Sequence, residues 1–121
     1  MPMKMKLEFK EVSVTKSGDY YQVLFHDDLD TDDEPYFMIQ RQFEFPDGEI
    51  CAFESHIEKL IDQCKAKSLI LTSNELSVSY GGNPENHIVI SFGASKGVLH
   101  ELAETLKEMI PTAHINLENK C

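Results

Sequence analysis

The sequence is short of positive charge. Against 21 acidic side chains it carries 11 basic ones, and its formal net charge is −10. Arg41 is the single arginine. A compact nucleic-acid binder or peripheral membrane protein of this size ordinarily carries a basic excess, so this charge argues against both classes. A basic partner is its natural complement. A long apolar run is also missing. No stretch approaches the ~18 residues of a membrane span. Met1 to Lys10 alternate polar and apolar residues and hold no apolar signal segment, so no targeting sequence is expected. Cysteine is scarce. Cys51, Cys64 and Cys121 form an odd set without a CxxC pair. That pattern reads as reduced thiols in a cytoplasmic protein and supports neither zinc nor redox chemistry.

The motifs of catalysis are lacking too. His26, His56, His87, His100 and His114 are scattered, with no HExxH pair. A nucleophile needs a positioned base and an oxyanion donor, and the neighbours of Ser79 and Cys51 provide neither. There is no GxSxG. Gly81-Gly82 lacks the downstream Lys-Ser/Thr of a phosphate loop and reads as a hairpin loop. The expectation is a protein that is not an enzyme and has no cofactor, catalytic residue or metal.

What is present is globular. Hydrophobic content of 41% with 26% charged residues is not a disordered composition. The 121 residues make one domain, which should bury roughly two thirds of its extended-chain surface. Residues 3 to 9 alternate as a strand: Met3, Met5, Leu7 and Phe9 against Lys4, Lys6, Glu8 and Lys10. The apolar phase then shifts to Val12 and Val14, which predicts a bulge or bend near Glu11. Lys16 to Asp19 is turn chemistry, and residues 20 to 26 complete a hairpin with the first strand.

Residues 36 to 45 form a further strand, with Phe37, Ile39, Arg41, Phe43 and Phe45 on one face and Gln40, Gln42 and Glu44 on the other. Pro46-Asp47-Gly48 is a turn, and residues 49 to 53 pair back. Ser55-His56-Ile57-Glu58 reads as a capping box opening a short helix at 56 to 65, with Ile57, Leu60, Ile61 and Cys64 at helical spacing. Strands follow at 69 to 72, 76 to 80 and 87 to 92. Val98, Leu99, Leu102, Leu106, Met109 and Ile110 mark a helix over 96 to 110, stopped by Pro111. Residues from about 112 to 121 read as a loose tail. The sum is an α+β fold: a mostly antiparallel sheet of six or seven strands, covered by the C-terminal amphipathic helix.

One loop concentrates the charge. Asp27, Asp28, Asp30, Asp32, Asp33 and Glu34 place six acids in the eight residues 27–34. Three readings are open. Asp28, Asp30 and Asp32 have the alternate spacing that opens a calcium loop. However, the glycine and glutamate required later are replaced by Asp33 and Ile39. A calcium or small-ligand binding domain is the alternative function on this basis. The run also suits a solvated, self-repelling loop. Lastly, it suits recognition of a basic protein surface, with Tyr36 as an aromatic anchor. Arg41, in phase with apolar neighbours, calls for a carboxylate or an aromatic ring as a structural partner; a substrate clamp is the other reading. Tyr20, Tyr21, Tyr36, Tyr80 and Phe53 read as sheet packing, with the tyrosine hydroxyls at the rim.

The stretch Val23-Leu24-Phe25-His26-Asp27-Asp28-Leu29-Asp30, followed by Tyr36-Phe37-Met38-Ile39-Gln40-Arg41, resembles the immunity protein 10 family of bacterial polymorphic toxin systems. The run Ser68 to Val78 is similar to that family's next hairpin, and the strand at 87 to 92 with the terminal helix fits its ending. The chain departs from the family at 56 to 67, where the family has a Gly/Tyr-rich segment. The resemblance implies a small cytoplasmic protein that protects its producer by binding a cognate toxin. It implies no catalytic residues. The expected partner is therefore a toxin with a basic surface, not nucleic acid or membrane. A homodimer through a sheet edge is open.

Overall fold

A computed structural model describes residues 3–27, 35–42, 50–82 and 85–117. The expected segments 28–34 and 43–49 lie outside the described residues. The described chain holds ten strands and one α-helix, and the strands divide into two five-stranded, mostly antiparallel sheets. The α+β class is as the sequence predicts. The single sheet of six or seven strands is replaced by two sheets.

The division begins at the phase shift near Glu11. The phase shift predicts a bulge or bend there, in one strand hairpinned to residues 20–26. A bend falls at Lys10 and the hairpin with residues 20–26 forms, but at the bend the chain changes sheet. β1 (Met3–Glu8) runs parallel to β9 (Asn86–Ser91) in the first sheet. β2 (Glu11–Lys16) runs antiparallel to β3 (Tyr20–His26) in the second. A one-residue slip turns every apolar side chain to the opposite face. Two facing sheets accommodate that slip, because each half of the segment keeps its apolar side inward. The corner is held by the Phe9 amide donating to the Ser91 carbonyl at 2.9 Å. The Lys10 amide donates to Asp27 Oδ1 at 2.8 Å. Gly93 allows the close approach, since a Cβ there would lie 3.2 Å from the Lys10 carbonyl oxygen.

The first sheet has the order β1-β9-β8-β7-β10, with β7 (Ser68–Leu71), β8 (Glu75–Tyr80) and β10 (His114–Ile115). The second has the order β2-β3-β4-β5-β6, with β4 (Tyr36–Gln42), β5 (Cys51–Ser55) and β6 (Asp62–Cys64). Alternation decides what each sheet buries. Leu69, Leu71, Leu76, Val78, Tyr80, Ile88 and Ile90 come from the first sheet, and Val23, Phe25, Phe37, Ile39 and Phe53 from the second. The aromatic rings join the layers. Phe53 stacks on Tyr80 with centroids 3.8 Å apart and planes 6° apart, and Phe25 meets Phe92 at 5.4 Å.

The helix α1 (Lys96–Met109) is capped by Ser95, whose hydroxyl accepts from the Val98 amide at 3.3 Å. Such a cap contributes about 1 kcal/mol. Leu102, Leu106 and Met109 are fully buried. The helix contacts β2 and β3 of the second sheet and β10 of the first, so it bridges the two layers. Arg41 is explained here. Its Nη1 donates to the Met109 carbonyl at 2.6 Å, at the negative end of the helix dipole. This bond fastens β4 to the end of the helix.

Two expectations fail in informative ways. Residues 56–65 are not a helix. Ser55 Oγ accepts from the Ile57 amide at 3.1 Å, one residue short of a capping box, and only a 3-10 turn over Glu58–Leu60 follows. β6 then pairs antiparallel with β5. A ten-residue helix is marginal without a buried stripe. Here Leu60 is buried but Ile61 is 52% exposed. Extending β6 along β5 satisfies backbone groups that an edge strand would leave unpaired. The tail is not loose from 112 either. β10 runs parallel to β7, and the Asn116 amide donates to the Leu71 carbonyl at 2.8 Å. Residues 118–121 lie outside the described residues.

The sequence predicts a Tyr80 hydroxyl at the rim. It is fully buried, and its hydroxyl donates to the Leu60 carbonyl at 2.6 Å. The 3-10 turn that replaced the helix is what presents this carbonyl. Tyr80→Phe leaves the Leu60 oxygen unsatisfied and should cost about 1–3 kcal/mol in urea unfolding. Burial, with the Cys64 and Asp62 charges adding to it, raises the Tyr80 phenol above its ordinary pKa of 10.0. The folded state therefore holds this proton more tightly than the unfolded chain. Its contribution is complete below pH 10.0 and declines as pH rises beyond it. In Tyr80→Phe that part of the alkaline destabilisation should be absent.

Candidate functional site

Of the predicted partner-binding residues, Asp27 and Tyr36 are described, and Asp28, Asp30, Asp32, Asp33 and Glu34 lie outside the described residues. The ends of the acidic connection are close together. β3 and β4 are antiparallel neighbours, with His26 opposite Tyr36. Asp27 is occupied structurally, through the bond to the Lys10 amide. Tyr36 is half-buried and sits against His56, with ring centroids 6.3 Å apart. Its amide donates to His56 Nδ1 at 3.1 Å. Tyr36 thus stands at the foot of the connection, held from the β5 side.

His26, opposite Tyr36, is buried, with 5% of its surface exposed. Its Nε2 lies 2.8 Å from Ser13 Oγ, and its Nδ1 has no hydrogen-bond partner among the described residues. A hydroxyl and an imidazole do not by themselves make a nucleophile. The base needs an orienting group, and the reaction needs oxyanion donors. Among the described residues no carboxylate accepts from His26, so the pair locks β2 to β3. Likewise no group of three His, Cys, Asp or Glu among the described residues could hold a metal ion. The Asp28, Asp30 and Asp32 calcium reading falls on residues outside that set. Cys51 and Cys64 face each other across β5 and β6. Burial chiefly pushes the Cys64 thiol above its usual pKa, opposed by a hydrogen bond to the Gly81 backbone. A thiol shifted upward is a weak nucleophile at neutral pH.

The outward face of the second sheet carries the chemistry that the sequence reading passed over. The helix and the first sheet cover its inward face. Register places Thr15, Gln22, Gln40, Ala52 and Gln63 side by side across all five strands. The next row is Ser13, Leu24, Met38 and Glu54. Ala52 is the one small side chain in the first row. Beside it lies a depression of about 280 Å³, lined by Gln40, Gln42, Ile50, Ala52, Glu54 and Gln63. Alternation along β4 had put Gln40 and Gln42 opposite the apolar face. Nothing local could show that β6 would bring Gln63 beside them.

Charge follows this layout. Residues 17–58, which span β3, β4, β5 and their connections, contain 12 of the 21 acids and one of the 11 bases. That base is Arg41, which is turned to the helix end. The rest of the chain, with 9 acids and 10 bases, is close to neutral. The outward face of the first sheet, by contrast, mixes Lys6 with Glu8 and Glu75 and exposes Ile70. Among the described residues no helix is long and apolar enough to cross a membrane.

No protein-family model, no curated protein and no solved structure matches the chain.

Proposed function

We propose that the protein is a non-enzymatic binding module, an immunity protein that neutralises a cognate bacterial toxin by direct binding. The observation that carries this reading is the separation of charge. One continuous part of the chain holds the entire negative excess, while the remainder is balanced. A structural scaffold has no need of such a separation, because like charges repel and destabilise the compact state. A binding surface does. Clustered carboxylates steer a cationic partner into encounter and match Arg or Lys at close range. Many toxin domains that act on nucleic acid or membranes are basic for the reason already given, and an acidic protein competes for the surface that would meet the polyanion. The resemblance to the immunity protein 10 family supplies the biological setting, a producer cell protecting its own cytoplasm.

The test is co-expression. A bacterial host carrying an inducible toxin from the adjacent gene should grow when this chain is expressed with it and stop growing when it is not. The purified pair should co-elute. Continued growth arrest with both proteins present would refute the assignment. The acidic connection 27–34 and Tyr36 are the residues proposed to meet the toxin.

A further inference from the structure

We propose that the partner seats an arginine or lysine side chain in the Ala52 depression on the outward face of the second sheet. The proposal rests on the reading of a basic partner and adds the surface to it.

Three observations converge on this face. The first is shape. Small Ala52 stands between Gln40 and Gln63, and the resulting hollow of about 280 Å³ has room for a long side chain's end but not for a drug-sized ligand. The second is donor–acceptor chemistry. Amide oxygens of Gln40, Gln42 and Gln63, with the Glu54 carboxylate, can all accept from a guanidinium or ammonium, and a cation offers only donors. The third is charge. Among the described residues, every outward position of β2 to β6 is free of lysine and arginine, whereas Glu11 and Glu54 are present. The outward face of the first sheet carries mixed charge, with Lys6, Glu8 and Glu75, so it provides the internal control. Unpaired lysines would ordinarily be scattered over an exposed sheet to keep it soluble and blunt its association. Their absence from one face alone marks that face for a cation brought by another molecule.

The experiment uses the full chain and a nona-arginine peptide as probe, at low ionic strength. Amide chemical shifts should move at Gln22, Gln40, Ala52, Glu54 and Gln63, and not at Ile70 or Ser77. Ala52→Lys fills the hollow with like charge and should weaken peptide binding about tenfold, while Ile70→Lys on the control face leaves it within about twofold. Gln40→Lys repeats the test if Ala52→Lys fails to fold. Suppose instead that the peptide binds with shifts confined to residues 27–36, and Ala52→Lys is without effect. The docking surface is then refuted and the reading of a basic partner stands. Absence of any peptide binding overturns both.

Discussion

Phe53→Ala lowers the free energy of unfolding by about 3–5 kcal/mol, the largest stability loss expected of any single truncation here. The ring has no solvent exposure and lies face to face on Tyr80 at 3.8 Å. It also meets Phe37 at 6.4 Å. Phe53 belongs to the second sheet and Tyr80 to the first, so this stack is where the layers lock. Removing the ring loses its transfer free energy. It also leaves a cavity that cannot collapse easily, since β5 is pinned by β4 on one side and β6 on the other. Total stability of a domain this size is about 5–15 kcal/mol, so the variant approaches its unfolding threshold. Urea unfolding at neutral pH measures the loss. A change below about 1 kcal/mol would show that the two sheets are not held together through this ring.

Replacing Asp27, Asp28, Asp30, Asp32 and Asp33 with Asn, and Glu34 with Gln, slows association with the basic partner by about ten- to a thousandfold at low salt. The mechanism is steering. Six negative charges in one connection raise the local concentration of a cationic surface before contact. That attraction decays over about 8 Å at physiological ionic strength, so the wild-type rate falls with added salt and the variant's does so much less. Dissociation changes less than association, because rim charges act mainly on encounter. Fold integrity is protected by chemistry: Asn at position 27 keeps an oxygen to accept the Lys10 amide. Stopped-flow association over a salt series reads the result. An unchanged rate would remove the acidic connection from the interface.

The two experiments draw on features of unequal legibility. The acidic connection is plain in the sequence, because charge needs no neighbour to be counted. The Phe53–Tyr80 stack is not, since its members are 27 positions apart and belong to different sheets. Residues 56–65 show the limit most clearly. Ile57, Leu60, Ile61 and Cys64 have helical spacing, but a short segment obeys whichever partner lies nearest. β5 offered backbone bonds where no apolar groove awaited a helix. The Ala52 hollow is likewise invisible in sequence, because it requires Gln40 and Gln42 of β4 and Gln63 of β6 to meet around one alanine of β5.

By itself, then, the sequence determined which residues alternate, where the amphipathic helix lies, that the fold is α+β, and that its negative charge is local. Local periodicity and side-chain charge are properties of a segment, and a segment carries them wherever it packs. The tertiary structure alone decided that Met3–Glu8 and Glu11–Lys16 part company into separate sheets. It decided that Arg41 holds a helix end and that Tyr80 is buried against Leu60. It also decided which polar side chains share the outward face of the second sheet. Periodicity says that a face must be covered, but competition among all the segments says by what.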